Sequence, residues 1–292
     1  MAGRLPRFEL DKLPVLPAVV IRLMDLSPTH EAYFEQVLDI SGEDPALALR
    51  VIQAANSSAS APRSPIVSLQ AAVARLGAAR IGEIATAMSL VKLFTPDSPE
   101  TADMWIHAVE VAATTRVIAT ASRLVSDADG AYLCGLLHDV GRLVLLSHGG
   151  CLPDRGEPAW CAAGGLAEER EIFGIDHAEL GARVCEHWHV PARLVRVVRG
   201  HHRPAPVSGG TFAGDGALLA AVEMADRLSE LRRTGGLDGT EDRFALAALI
   251  AGHCVDAAWP EPPLAPGRLV DLLPEVEASV RLATEHLGLA AV

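Results

Sequence analysis

The chain has 292 residues; half are hydrophobic, only 4% are aromatic, and Ala, Leu and Val dominate. This hydrophobic content excludes intrinsic disorder, and the length fits one large domain or two modest ones. The formal net charge of −12 leaves no general attraction for nucleic-acid phosphates or for an anionic membrane surface.

The cysteines and the apolar segments bear on the cellular compartment. The five cysteines are odd in number and show no CxxC spacing, which disfavours a disulfide framework and favours small buried hydrophobic side chains. The first residues contain no apolar stretch of the signal-peptide type. The longest apolar runs, such as residues 217–222, are far shorter than the ~20 residues that cross a bilayer. We expect a cytoplasmic protein without a membrane segment.

Apolar residues recur at helical spacing in the first part of the chain. Asp44 followed by Pro45 predicts a helix start, and Ser68 predicts another helix cap. The helices predicted in this part cover residues 15–26, 31–41, 45–56, 68–77 and 79–94. A loop composition occupies residues 57–65, and the segment TPDSPE at 95–100 predicts a linker. We place the first lobe at residues 1–98.

Helical spacing continues in a second lobe at residues 99–292. Asp176 and Glu179 predict a capping box at the start of one helix. The helices predicted here cover residues 102–124, 132–147, 176–187, 191–203, 217–231, 242–253 and 268–287. Residues 149–156 and 209–216 predict breaks. No strand and no repeat is predicted, so the fold class is all-α.

Histidines and aspartates interrupt the apolar helix faces of the second lobe. They are His107, His138, Asp139, His177, His201, His202 and Asp226. Imidazole and carboxylate ligands together suit Fe, Mn, Zn or Ni better than Mg or Ca. His138 and Asp139 point about 100° apart on a helix, so both can reach an ion between them. An aspartate can also bridge two ions.

The alternative for each of these residues is a structural role, because a single histidine on a helix is more often packed or solvated than a ligand. Asp176 is better explained as a helix cap. His187 and His189 do not share a helical face and are interpreted as structural or exposed. The remaining histidines without a partner pattern are His30, His148, His253 and His286.

The order of the seven residues resembles the ligand order of the HD superfamily of metal-dependent phosphohydrolases. The chain is more closely similar to the HDOD domain, a signalling relative, over roughly residues 10–231. The segments that carry this resemblance are LPVLPAVVIRLMDL, ISGEDPALALRVIQAANSS, SPIVSLQAAVARLGAARI, WIHAVEVA, GLLHDVGRL, GIDHAELGARVCEHWHVPARLVRVVRGHH and MADRLSE. The resemblance implies a two-lobed helical HDOD fold with an HD-like C-terminal lobe. It also implies a response-regulator output or scaffold module of bacterial signal transduction, generally without hydrolase activity.

The resemblance to the related HD-GYP phosphodiesterases is incomplete. Asp103 lies one helical turn before His107, where a glutamate stands in those enzymes, and is a possible extra ligand. Arg142 stands where they have a phosphate-binding lysine, which makes it a candidate substrate-binding residue. The residues after His202, RPAPVSGG, contain neither the glutamate nor the GYP loop of those enzymes.

Two functions remain open at this point. The first is a module that binds signalling proteins or a nucleotide or phosphate ligand, with or without one or two divalent ions. The second is a metal-dependent phosphohydrolase. DNA binding through the first lobe is disfavoured, because its arginines are scattered and form no recognition helix; they are Arg50, Arg63, Arg75 and Arg80.

Overall fold

The computed structural model describes residues 16–26, 30–56, 62, 64–95, 98–125, 130–147 and 165–287. Almost all regular structure in this part is helical, which confirms the predicted all-α class. The first helices are α1 (Ala18–Asp25), α2 (Tyr33–Gly42), α3 (Pro45–Ala55), α4 (Leu69–Leu76) and α5 (Ala78–Leu93). The predicted caps are observed: Asp44 accepts the amides of Ala46 and Leu47, and Ser68 accepts that of Ala71.

The remaining helices carry the chain from residue 99 onward. They are α6 (Pro99–Ala121), α7 (Ala131–Leu137), α8 (Val140–Ser147), α9 (Gly165–Phe173), α10 (His177–His187), α11 (Ala192–Gly200), α12 (Gly216–Arg233), α13 (Arg243–Cys254) and α14 (Pro266–Leu287). The helix α6 starts three residues before its predicted start, because Ser98 and Thr101 form a capping box there. The helix α9 was not predicted.

Two predictions of local structure are wrong. The helix predicted over residues 132–147 is broken at His138 and Asp139, which form a turn between α7 and α8. The loop predicted over residues 209–216 contains part of a small antiparallel hairpin. Its strands are β1 (Val207–Ser208) and β2 (Thr211–Phe212). Gly209 and Gly210 both have positive φ, which a two-residue hairpin turn of type I′ requires.

One contiguous cluster of buried apolar side chains joins the described helices, from Val20 near the start to Ala283 in α14. The helices α1–α5 pack on one another, and α5 also contacts α7 and α14. The division of the chain at residue 98 therefore stays a prediction. The described cysteines, Cys134, Cys185 and Cys254, are buried as expected, whereas Cys151 and Cys161 lie outside the described residues.

A buried polar contact links three helices at the junction of the two predicted lobes. Glu83 of α5 accepts hydrogen bonds from Arg80, at 2.5 Å, and from Arg116 of α6, at 2.7 Å. Both guanidinium groups lie over the ring of Tyr132 in α7. Arg80, one of the scattered arginines considered above for DNA binding, thus makes its contacts inside the fold. In the described part of the chain, no helix is long and apolar enough to cross a membrane.

Glycines allow the close helix contacts that position α7 and α8. A Cβ atom on Gly135 would lie 2.6 Å from the Cα of Ala112, so α7 packs directly on the backbone of α6. A Cβ atom on Gly141 would lie 2.0 Å from the carbonyl oxygen of His177 and 2.8 Å from the amide nitrogen of Gly181. The backbones of α8 and α10 therefore touch at this point.

The substitution Gly141→Ala tests this contact. Backbone atoms cannot yield as a flexible side chain can, so we expect the free energy of unfolding to fall by about 1–3 kcal/mol. Gly252→Ala on α13 is the matched control, because nothing lies within 4 Å of its Cβ position. That variant should keep or gain stability, by up to about 1 kcal/mol, since Ala favours helix over Gly. Urea denaturation followed by circular dichroism measures both, and equal stability of the two variants would contradict the close approach.

The cap of α10 gives a second prediction, which depends on pH. Asp176 accepts the amide of Glu179 at 2.8 Å and pairs with Arg170, while Glu179 pairs with Arg183 and Arg199 instead of completing the predicted box. Burial raises the pKa of Asp176, but the Glu179 amide and the Arg170 guanidinium outweigh it, so the net pKa lies below the ordinary value.

The Asp176 carboxylate therefore stabilises the fold above its unfolded pKa, and this contribution is lost as pH falls through the folded pKa. We expect Asp176→Ala to cost about 0.5–2 kcal/mol at pH 7, with the difference from wild type shrinking in acid. Asp176→Asn keeps an acceptor for the cap and should lose less. Thermal unfolding as a function of pH measures this, and a cost that stays constant into acid would count against the carboxylate.

Candidate metal centre

The turn between α7 and α8 places His138 and Asp139 at the centre of the site. The Nδ1 of His138 donates to the carbonyl oxygen of Gly135 at 2.6 Å. Since α7 lies against α6, the ring of His138 comes within 5.2 Å of the ring of His107 on α6, measured between centroids. Both side chains and Asp139 are buried. The broken helix thus presents the doublet to α6 on one side and to α10 on the other.

The predicted residues gather into two groups that share Asp139. One group, called here the His177 group, comprises Asp139, His177, His201 and His202. The other, the His107 group, comprises His107, His138 and Asp139. Within each group the candidate ligand atoms lie within 4.8 Å of one another, so each could hold a metal ion. Asp226 of α12 adjoins the His107 group, with its Oδ1 3.2 Å from His107 Nε2.

Both members of the pair His201-His202 face the cluster, a point that the sequence left open. The ring of His201 is buried, with its Nε2 3.3 Å from the Nε2 of His177. His202 is exposed, but its Nε2 lies 2.9 Å from the same atom of His177. His202 therefore forms the solvent edge of the His177 group, together with the quarter-exposed carboxylate of Asp226 on the other side.

The Nδ1 atoms of the buried histidines are bonded outside the cluster. His138 and His201 each face a backbone carbonyl at 2.6 Å, and a carbonyl only accepts, so Nδ1 carries the proton in both rings. His177 Nδ1 faces the carboxylate of Glu169 at 2.7 and 2.9 Å. Because these contacts are shorter than the 3.3 Å contact between His177 Nδ1 and Arg142 Nε, we place the ring proton of neutral His177 on Nδ1 as well. In all three neutral rings, only the Nε2 lone pair faces inward.

While the rings are neutral, acceptors consequently meet at one side of the cluster, and Arg142 donates to the other oxygen of Asp139. His138 Nε2 and Asp139 Oδ1 are buried and make no hydrogen bond. Asp139 Oδ1 lies 3.1 Å from His177 Nε2 and 3.4 Å from His201 Nε2, and while both rings are neutral all three atoms present lone pairs to one another. Buried polar atoms without partners are costly, and a divalent cation satisfies such a set of imidazoles and carboxylates. The residues present therefore fit a metal ion.

The charge states of the cluster also suit a cation. Burial lowers the pKa of His138 to about 4, an effect that Asp139 and Asp226 only partly offset. Burial raises the pKa of Asp139, but Arg142 and the histidines outweigh it and hold the pKa well below its usual range. Burial raises the pKa of Asp226, but the nearby imidazoles of His107 and His138 outweigh it, so the net pKa is lowered. Neutral imidazole and ionised carboxylates are the forms that bind metal.

His177 differs from His138 in its protonation. Burial and the charge of Arg142 lower the pKa of His177, but Asp139 and Glu169 more than compensate, so the net pKa is raised. The pKa of His202 is lowered, because its ring is partly desolvated and lies beside the imidazoles of His201 and His177. Without a bound ion, His177 is therefore protonated more readily than His202.

Arg142, the predicted phosphate-binding residue, is buried inside the cluster. Its Nη1 donates to Asp139 Oδ2 at 3.0 Å, and its Nε lies 3.7 Å from Glu169 Oε1. The guanidinium thus neutralises two carboxylates that hold the histidines. This contact differs from the expected role, in which Arg142 faces a ligand.

Asp103, the possible extra ligand, does not join the cluster. Its side chain is half exposed, and its carboxylate faces Arg233 at 4.0 Å. Asp103 lies on the turn before His107, toward the C-terminal end of α12 where Arg233 is found. His189 is exposed and His187 is partly exposed, in line with their structural interpretation. His148 lies outside the described residues, and the side chain of His286 is not described.

Three polar residues at the site were missed by the sequence analysis: Glu110, Glu169 and Ser229. Glu169 is fully buried on α9 and accepts both the backbone amide and the Nδ1 of His177. It belongs to the charged run AEERE, which is typical of a solvated helix face. Ser229 Oγ lies 3.1 Å from His107 Nδ1 and donates to Glu110 Oε2 at 2.6 Å. Helical spacing places Ser229 three residues after Asp226 and Glu110 three after His107, on the same helix faces as those residues, but it does not show that the two meet.

Solved structures with the same fold come from several bacteria. An HDOD domain protein with unknown function from Geobacter sulfurreducens has a TM-score of 0.68 at 23% identity, covering 95% of this chain and 94% of that one. A structure described as "Putative phosphohydrolase" from Shewanella amazonensis SB2B has a TM-score of 0.67 at 24% identity, with 95% and 96% coverage. A "Putative signal transduction protein" from Marinobacter aquaeolei VT8 has a TM-score of 0.70 at 24% identity, covering 98% of this chain and 62% of that one.

An uncharacterized protein from Treponema pallidum (strain Nichols) is 21% identical over 206 residues, or 66% of this chain. The matched region spans only 38% of the length of that relative. The sequence pattern of the HDOD domain matches residues 13–204, which include every cluster residue except Asp226. By this match over most of its length, with the same fold in the solved structures, the chain belongs to the HDOD domain family.

Proposed function

We propose that this chain is a metal-binding output module of bacterial signal transduction, which acts by binding a protein partner or a ligand rather than by turnover. The observation that carries the metal site is the pair of buried acceptors without partners, His138 Nε2 and Asp139 Oδ1. Membership of the HDOD family supports the signalling role. The mixed imidazole and carboxylate ligands favour Fe, Mn, Zn or Ni.

Two features favour binding over catalysis. Arg142, the candidate phosphate-binding residue, is buried, paired with Asp139 and close to Glu169, so it is not presented to a phosphate. The segment after His202 lacks the glutamate and the GYP loop of the related phosphodiesterases. Partners among signalling proteins, and a cytoplasmic location, stay predictions.

A second candidate function, a metal-dependent phosphohydrolase, is favoured by the shared position of Asp139. Its Oδ1 faces His177 and His201, whereas its Oδ2 lies 3.5 Å from His138 Nε2. One carboxylate between two groups of ligands is the arrangement of a two-ion site. Bound divalent ions would supply Lewis acidity toward a phosphoester. Of this chain's own residues, Asp226 and His202 lie at the solvent edge where such a substrate would enter.

Metal binding is tested directly with the purified, metal-stripped protein. We expect calorimetric titration with Zn²⁺ or Mn²⁺, checked by elemental analysis, to give one or two bound ions per chain. Asp139→Asn should weaken binding at both groups, and His202→Ala at one, each by more than the 10–100-fold typical of losing a residue that only orients a ligand. The control is His253→Ala, which removes an exposed histidine on α13. A wild-type protein that binds no ion would overturn the metal site.

Turnover separates the two candidate functions. The metal-loaded protein is assayed with a panel of nucleotide phosphoesters beside its Asp139→Asn variant. For a binding module, we expect hydrolysis no faster than that of the variant, because Arg142 is held by carboxylates. If the wild type instead turns over substrate, and Arg142→Lys lowers kcat/KM, then the phosphohydrolase is the correct function and Arg142 exchanges its partner for phosphate.

A further inference from the structure

A chain of two hydrogen bonds connects His107 to a carboxylate beyond the cluster. His107 Nδ1 lies 3.1 Å from Ser229 Oγ, and Ser229 Oγ donates to Glu110 Oε2 at 2.6 Å. His107 and Ser229 are buried, and Glu110 is partly buried. The contacts join α6 to α12, across more than a hundred residues of sequence. Ser229 and Glu110 are not themselves members of the ligand set.

The direction of the hydrogen bonds follows from the proton count. A serine hydroxyl carries one proton, and an ionised carboxylate only accepts. Once Ser229 donates to Glu110, it offers only a lone pair to the imidazole, so His107 Nδ1 must be the donor. Without Glu110, the hydroxyl could equally donate to Nδ1, and the ring proton could move to Nε2.

His107 is therefore anchored differently from the other buried histidines. His138 and His201 are bonded to carbonyl oxygens, and His177 to a carboxylate, none of which can donate. His107 alone among these four is bonded to a group that can either donate or accept. A second residue is needed to fix the direction of its bond.

We propose that Ser229 and Glu110 are positioning residues, which hold His107 in its Nδ1–H form and present its Nε2 lone pair to the cluster. That Nε2 lies 3.2 Å from Asp226 Oδ1 and 3.8 Å from Asp139 Oδ2. Fixing the tautomer and orientation of a histidine, and raising its basicity through a carboxylate, strengthens its bond to a metal. The consequence for metal affinity rests on the proposed function, whereas the tautomer itself does not.

Nuclear magnetic resonance of the metal-stripped protein tests the tautomer without any ion. The protein is labelled with ¹⁵N-histidine, and the pH is raised until the His107 ring is neutral. Long-range ¹H–¹⁵N correlation then shows which ring nitrogen carries the proton. We expect Nδ1 to carry it in wild type, and a mixture of both forms in Ser229→Ala and in Glu110→Ala.

Two further variants separate positioning from packing. Ser229→Thr keeps the hydroxyl and should restore the Nδ1–H form. Ser41→Ala removes another fully buried helical hydroxyl, which donates to the carbonyl of Val37 far from the cluster. That control should change stability in the same way as Ser229→Ala but leave the His107 signals unchanged. A wild-type ring protonated at Nε2, or an unchanged tautomer in both Ser229→Ala and Glu110→Ala, would overturn the proposal.

Metal titration of the same variants gives the second measurement. We expect Ser229→Ala and Glu110→Ala to bind Zn²⁺ or Mn²⁺ about 10–100-fold more weakly at the His107 group, with Ser229→Thr close to wild type. If wild type binds no ion but the tautomers behave as expected, the metal site fails while the positioning of His107 stands. If wild type binds metal but the tautomer is independent of Ser229 and Glu110, the positioning proposal fails alone.

Discussion

Four buried imidazoles direct their Nδ1 atoms to oxygens outside the cluster, and this leaves lone pairs and carboxylate oxygens inside it. The geometry of the helices makes the arrangement possible, because Gly135 and Gly141 let α7 and α8 touch the backbones of α6 and α10. A wider separation would remove His138 from His107, or Asp139 from His177. The helix packing and the geometry of the cluster therefore depend on the same close contacts, and a cation would balance the acceptors that they bring together.

The helical class and most helix positions could be predicted from the sequence, because apolar residues at a spacing near 3.6 give one buried face to each helix. The caps at Asp44, Ser68 and Asp176 are local hydrogen bonds between residues close in sequence, so they could be predicted as well. The break at His138 and Asp139 could not, since the apolar pattern continues through it without Gly or Pro at the turn itself. It is a tertiary effect, in which α7 and α8 turn to pack on different partners.

The seven predicted site residues are brought together, but the residues that orient them were not predicted. His107, His138 and His177 stand out because polar side chains interrupt apolar runs. Glu169 lies in a run of charges, and its burial depends on the approach of α9 to the start of α10. Ser229 and Glu110 depend on the pairing of α6 with α12, which no local pattern records. The sequence thus indicates which side chains meet in the cluster, whereas the hydrogen bonds that orient them arise from packing.

Arg142 distinguishes the two candidate functions, because a guanidinium buried against Asp139 and Glu169 is not presented to a phosphate. Its guanidinium neutralises Asp139 Oδ2, the oxygen that faces His138. Arg142 therefore supplies the positive charge that a bound ion would otherwise supply. A cation held by the cluster would weaken the need for this pairing and would repel the guanidinium. Release of Arg142 toward the solvent edge would then convert a buried counter-charge into a phosphate-binding group. An Arg142 that stays paired with the ion bound leaves a metal-holding scaffold, in which the same residues maintain structure rather than catalysis.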